Sequence, residues 1–253
     1  MKSGAVFAVP PAGYANTWLV EDEGNFMAVD VGTSRAADNF HSFMKHHLKI
    51  SPERLSLITA THFHCDHVGG VERLTRLCPE AQVRFARLVE RYISGEEKLA
   101  VPPPERWMIG LTAIILRMPR VLKGTLYSLR SSRVGMPVPL LRGLNRVSFE
   151  ALCDLDETTV LEGFPHWRVV ETPGHTPDSI CLYNEAEGIL ISGDTILNMR
   201  GRGELNSFCC SPDDIRRSYE KLLGLRIESV YPGHGTPIEG MPGVLRNVRR
   251  DRL

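Results

Sequence analysis

Strands and helices alternate through both halves of this 253-residue chain, which predicts an α/β protein with sheets covered by helices. Short apolar runs bounded by Gly, Pro or Asp recur as strand signals, and helical-period segments stand between them. In addition, histidine- and aspartate-bearing turns follow directly on several of the apolar runs.

The elements fall in order. Ala5 to Val9 and Asn16 to Val31 read as two or three short strands around Gly13 and Glu23-Gly24. Thr33 or Ser34 can cap a helix to about Leu48, with Ala37, Phe40, Met44 and Leu48 near helical spacing. Leu55 to Ala60 is a strand, Val71 to Leu77 a helix and Gln82 to Ala86 a strand. Trp167 to Glu171, Ile180 to Tyr183 and Ile189 to Ser192 are three more strands. Ser211-Pro212-Asp213-Asp214 opens a helix: serine caps, proline takes the first position and Asp214 the third, in the manner of a capping box. Ile215, Tyr219, Leu222 and Leu223 form its buried face, and Ile227 to Tyr231 is the last core strand.

Composition narrows the classes. Thirty basic and thirty acidic side chains cancel, and 42% of residues are hydrophobic, which excludes a disordered chain. Zero net charge removes the simplest case for nucleic-acid binding, and none is expected. The longest apolar run, Trp107 to Leu116, is half of the roughly 20 residues a membrane span needs. The cytoplasm is the default location, and the six cysteines, none in a Cys-x-x-Cys pair, are expected as free thiols. The chain is expected to form a single domain, 1–253, with one unusual stretch. Residues 101–150 hold eight basic and two acidic side chains, so this segment is +6 and the remainder −6. The stretch is also rich in aliphatic residues and reads as a helical insertion broken at Gly135 to Pro139. It could be an extra layer with a solvated basic face, a lid over a binding site, or a membrane-surface element.

The chemistry concentrates in Thr61-His62-Phe63-His64-Cys65-Asp66-His67-Val68-Gly69-Gly70. Side chains two apart on an extended chain share a face, so His62, His64 and Asp66 can converge. His67 has the opposite parity and joins only if the chain turns, for which Gly69 and Gly70 supply freedom. Imidazole with carboxylate suits zinc, iron or manganese. His175 in Pro173-Gly174-His175-Thr176, Asp194 in Gly193-Asp194-Thr195 and His234 in Pro232-Gly233-His234-Gly235 each follow a strand. Asp30 is either an acceptor orienting a ligand histidine or a turn residue. Cys65 is read as a small filler, His41, His46 and His47 as surface residues, and His166 as a satisfied structural residue. Arg200 and Arg202 are read as solvated loop charges that could also face an anionic group.

His-x-His-x-Asp-His, then Pro-Gly-His-Thr, Gly-Asp-Thr and Pro-Gly-His-Gly, in that order over residues 62–234, resemble the metallo-β-lactamase fold superfamily. Asn16 to Val20 and Val29 to Gly32 also look like its opening strands. The resemblance implies a four-layer αββα sandwich with two divalent metal ions at one edge. Zinc is the expected metal, with iron and manganese as alternatives. It further implies that His62, His64 and His175 hold one ion, that Asp66, His67 and His234 hold the other, and that Asp194 bridges them. A hydroxide activated between the ions would attack the substrate, with Asp66 as the catalytic residue that orients it and returns its proton. Asp178 stands where relatives often have glycine; an altered local turn is expected, with no clear effect on ligation.

The expected activity is hydrolysis of a small ester, lactone or thioester, whose acyl chain would suit an apolar, basic lid. Phosphodiester hydrolysis of a nucleotide or lipid, and persulfide oxidation with one iron, are the alternatives. The expected partners are a small, amphiphilic substrate and, as an open option, a second copy of the chain in a homodimer.

Overall fold

Two sheets stack face to face in this computed structural model, which describes residues 4–106, 134–135, 147–239, 243–251 and 253. The first sheet contains β1 (Ala5–Ala8), β2 (Trp18–Asp22), β3 (Asn25–Val29), β4 (Leu55–Thr59), β5 (Gln82–Ala86) and β6 (Leu152–Leu155), side by side in that order. The first three strands run antiparallel, and β3 to β6 run parallel. Glu23 and Gly24 join β2 to β3 with φ of 47° and 79°, the left-handed pair that a two-residue hairpin needs.

Helix α1 (Ser34–Ser42) begins as expected, with Thr33 Oγ1 accepting the Ala36 N–H. The helical reading to Leu48 also holds, but the last six residues, Phe43–Leu48, widen into a π-helix that ends at left-handed Lys49. Two short helices, α2 (Cys65–Val68) and α3 (Val71–Leu77), follow β4, and α4 (Val89–Ser94) follows β5. β6, α2 and α4 were not foreseen; each is short, and β6 has a half-exposed face with Leu152 open to solvent.

The second sheet has the order β12-β9-β8-β7, built from β7 (Trp167–Glu171), β8 (Ile180–Asn184), β9 (Ile189–Gly193) and β12 (Ser229–Pro232). A two-stranded ribbon, β10 (Ile196–Leu197) with β11 (Glu204–Leu205), lies between β9 and helix α5 (Pro212–Leu223). Ser211 Oγ accepts the Asp214 N–H at the start of α5, as the capping signature predicts.

Strand alternation divides the apolar residues between two cores. Val169, Ile180, Leu182 and Ile191 point to the inter-sheet core with Trp18, Leu19, Phe26, Met27 and Ile58, which continues to Phe40 and Leu74 of the helices on the first sheet. Their neighbours Val170, Cys181, Tyr183 and Leu190 point the other way, onto Tyr219 and Leu222 of α5. The layer order is therefore helix, sheet, sheet, helix, the αββα sandwich. Sheet strands buried on both faces read as continuous apolar runs, as Ile180–Asn184 does. No helix among the described residues is long and apolar enough to cross a membrane. The described cysteines are free thiols. Most of the 101–150 insertion lies outside the described residues.

His166 is a structural residue, as its position before β7 suggested. Its Nδ1 donates to Asp22 Oδ1 (2.7 Å) and its backbone N–H to Asp22 Oδ2 (3.1 Å), which satisfies a fully buried carboxylate. The hydrogen bond to Asp22 and the charge of that group raise the His166 pKa. A raised folded pKa means that the proton-linked stabilisation is complete below about 6.5, the unfolded value, and is lost as pH rises through the folded value. We expect His166→Gln to lower Tm more at pH 6 than at pH 9, read by thermal denaturation at both. An equal loss at both pH values would contradict the charged pair.

Candidate metal centre

Five imidazoles and two carboxylates meet at one edge of the sandwich, five of the seven carried by stretches that follow strands and two by α2. His62 and His64 follow β4, His175 follows β7, Asp194 follows β9 directly, and His234 follows β12. The chain is extended only as far as His64, whose φ and ψ are −82° and 150°. At Cys65 it turns into α2, so Asp66 and His67 reach the centre from a helical turn. This corrects the parity argument for Asp66: the turn comes earlier than Gly69, and it brings both Asp66 and His67 inward.

Three groups of side chains could each hold a metal ion, with ligand atoms within 4.8 Å of one another: His62, His64 and His175; His62, His67 and Asp194; and Asp66, His67 and His234. Asp194 lies between the clusters. Its Oδ1 is 3.5 Å from His67 Nε2 and 3.3 Å from His234 Nε2, and its Oδ2 is 3.6 Å from His175 Nε2. Asp66 Oδ2 is 3.4 Å from His234 Nε2 and 3.9 Å from His67 Nε2. All seven sequence-selected residues thus come together. Cys65 is buried next to them but in none of the groups, and burial pushes its thiol pKa up.

The outer ring nitrogens fix which nitrogens face inward. His64 Nε2 donates to the Ala100 carbonyl (3.2 Å), His175 Nδ1 to Phe208 (2.8 Å) and His234 Nδ1 to Tyr14 (3.1 Å). His67 Nδ1 lies 3.0 Å from Asp30 Oδ2, and His62 Nδ1 lies 3.3 Å from the Thr61 hydroxyl, which itself donates to Asp30. Asp30 is therefore the orienting acceptor of the two readings, held at a left-handed φ of 60°. With their outer nitrogens protonated, His62 Nε2 and His175 Nε2 turn lone pairs toward His64 Nδ1 at 3.1 and 3.2 Å. Facing acceptors at that distance repel unless a cation lies among them. His67 Nε2 and Asp194 Oδ1 are likewise buried without an aligned hydrogen-bond donor. Both observations fit a site built for metal ions, since ordinary buried polar atoms are paired.

The electrostatics divide along the same line. Burial lowers the pKa of His62 and His64, and lowers that of His175 to about 4. Burial also pulls on His67, but Asp30, Asp66 and Asp194 outweigh it and raise its pKa to about 9. Asp194 and Asp66 are held well below the usual carboxylate range despite burial, chiefly by His234 and His67.

Sequence reading missed the residues that shape this centre from outside. Asn16 Nδ2 donates to the carbonyls of Pro232 and Gly235 (both 2.9 Å), and Asn16 N–H donates to Gly233 O (2.7 Å), so the first hairpin cradles the His234 turn. Asn206 Oδ1 accepts the Phe208 N–H and shapes the loop that holds His175. Asp178, read as altering the local turn with no clear effect on ligation, accepts the Phe63 N–H of the ligand loop at 2.8 Å. The Asn16 and Asp178 contacts span 216, 219 and 115 positions of sequence and leave no local pattern. Arg200 and Arg202 are exposed. A further cluster, Asp22 with Glu23 and His166, also has metal-ligand spacing, and the Asp22–His166 hydrogen bonds give it a structural role.

The profile of the metallo-β-lactamase superfamily matches residues 10–234, and the chain belongs to that superfamily. An atrochrysone carboxyl ACP thioesterase from Aspergillus fumigatus is 24% identical over 242 residues, covering 94% of this chain and 57% of the relative. This chain therefore spans little more than half the length of the fungal protein. A probable metallo-hydrolase from Bacillus subtilis is also 24% identical, covering 94% of this chain and 84% of the relative. A solved metallo-β-lactamase family protein from Thermus thermophilus superimposes with a TM-score of 0.59 at 23% identity, over 98% of this chain and 77% of its own.

Gly233 shows how closely the centre is packed. A Cβ there would stand 2.4 Å from Asp194 Oδ1 and 2.8 Å from His67 Cε1. We expect Gly233→Ala to cost about 1–3 kcal/mol of stability and to reduce bound metal, read by denaturant titration and elemental analysis. Full metal content in this variant would contradict the packing described.

Proposed function

We propose that this protein is a dinuclear metal-dependent hydrolase of small esters, lactones or thioesters. The observation that carries the proposal is the placement of Asp194 between two three-residue clusters, with one oxygen toward each. His62, His64 and His175 would hold one divalent ion, Asp66, His67 and His234 the other, and Asp194 would touch both. When bound, such ions supply Lewis acidity, lowering the pKa of a water from 15.7 toward about 7 and polarising a carbonyl.

The residues of the chain supply the rest. The outer ring nitrogens donate to the carbonyls of Ala100, Phe208 and Tyr14, and His67 Nδ1 faces the Asp30 carboxylate at 3.0 Å, which holds the imidazoles in one orientation. Asp66 is the most open of the seven side chains, 23% exposed where the others are nearly sealed. It therefore faces the side from which substrate arrives. Its carboxylate orients the attacking water by accepting a hydrogen bond, and carries the released proton to the leaving oxygen or sulfur as the acyl bond breaks. The seven-residue set favours this reading over a mono-iron oxygenase, which would leave Asp66, His67 and His234 without a task.

A thioester is the first substrate class to test, because the fungal relative is a thioesterase. Zinc is the proposed metal, and a small amphiphilic acyl compound the proposed substrate. The insertion at 101–150 is the proposed source of acyl specificity.

Elemental analysis coupled to a panel of lactones, thioesters, phosphodiesters and persulfides tests the reading. Two divalent ions per chain and turnover of acyl substrates are expected. One iron with oxygen uptake would overturn it. Asp66→Ala should lower kcat by about 10²–10⁴-fold; wild-type-like turnover in the metal-replete variant would sink its role. A ligand at a thousand-fold over its Kd stabilises by about 4 kcal/mol, and each kcal/mol shifts Tm by about 2–4 °C in a chain this long. Chelation should therefore lower Tm by about 8–16 °C. An unchanged Tm in a protein shown to hold metal would contradict the coupling of the centre to the fold.

A further inference from the structure

His62 sits between two backbone groups that are bonded across the sandwich. The carbonyl before it, Thr61 O, accepts the N–H of Ile180 at the start of β8 (2.8 Å). The amide after it, Phe63 N–H, donates to Asp178 Oδ2 at 2.8 Å, 115 positions away in sequence. Asp178 is 3% exposed and lies three residues after His175, on the same turn. Its other oxygen, Oδ1, is buried with no hydrogen-bond partner among the described residues. The carboxylate thus joins the loop of His62 and His64 to the turn of His175.

We propose that Asp178 is a positioning residue that sets the register between the two loops carrying the His62, His64 and His175 cluster. This rests on the reading that those three histidines hold a metal ion. The spacing of their inward nitrogens, 3.1 and 3.2 Å to His64 Nδ1, depends on how the His62–His64 loop sits against the His175 turn. Without the carboxylate, the Phe63 N–H would be buried and unpaired, and the loop would move to reach another acceptor. Glycine at this place would remove that tie to the His175 turn, while the loop kept its bonds from Ile180 N–H to Thr61 O, from Thr61 N–H to Asp30 and from Cys65 N–H to Gly135 O.

The test compares Asp178→Ala and Asp178→Asn with wild type in two measurements. The first is cobalt(II) titration followed by absorption, with His175→Ala marking loss of the cluster. The second is hydrogen exchange of the metal-free protein over residues 61–68. Asp178→Ala should weaken cobalt binding by about 10–100-fold, the usual effect of removing a group that orients a ligand. It should also speed exchange at residues 61–68 by at least about tenfold while β8 and β9 stay protected. Asp178→Asn keeps an acceptor oxygen and should return both readings to near wild type. If Asp178→Ala fails to fold, Asp178→Ser, whose side chain is too short to span the gap, replaces it.

Unchanged cobalt affinity and unchanged exchange in Asp178→Ala would overturn the proposal, as would an Asp178→Asn protein as impaired as Asp178→Ala. Exchange that rises equally in every strand would reduce Asp178 to general stability and overturn it too. Wild type and His175→Ala binding cobalt equally would overturn the metal assignment itself, a failure separate from the others because the exchange measurement needs no metal.

Discussion

Burying five imidazoles and two carboxylates in one place is the constraint on which the rest of this structure depends. Charges and unpaired polar atoms are costly away from water, by several kcal/mol each. The cost is met on the outside of the cluster by oxygens from four separate segments: Ala100, Phe208, Tyr14 and Asp30. On the inside it is met only in part: Asp194 and Asp66 lie 3.3–3.9 Å from His234 and His67, and His67 Nε2 and Asp194 Oδ1 have no aligned hydrogen-bond partner. A cation is the partner of opposite sign that suits an array of inward lone pairs. The sandwich holds strand ends from two sheets close enough for that array to form, and Gly32, Gly193 and Gly233 permit close approaches to Asp66, Thr61 and Asp194.

The fold was largely legible because its strands follow simple rules. Runs such as Ile180–Tyr183 and Ile189–Ser192 are apolar on both faces and short, so they could only be buried strands. The α5 cap, Ser211-Pro212-Asp213-Asp214, could be located to the residue. Elements that rest on few side chains were missed: β6, with Leu152 exposed, and the four-residue α2, too short to show a helical period. The extended-chain argument was right for His62 and His64 and wrong in its route for Asp66.

The metal centre was legible for a different reason. Histidine and aspartate after an apolar strand, flanked by glycine, recur three times beyond the first motif, and chemistry of that kind has a local signature. Its supports have none. Asn16 acts on the His234 turn across 216 positions or more, and Asp178 acts on Phe63 across 115. Either could only have been read as a hairpin or turn residue. Substrate identity is a further step removed, because it depends on what surrounds Asp66. The charge pattern, a +6 segment set against a −6 remainder, puts the strongest sequence signal for it at residues 101–150.

The central claim is that two ions share Asp194. Anomalous diffraction from crystals grown with zinc tests it most directly. The account predicts two peaks per chain, one among His62, His64 and His175 and one among Asp66, His67 and His234, each in contact with an Asp194 oxygen. A single peak, or two peaks with Asp194 bound to neither, would contradict it.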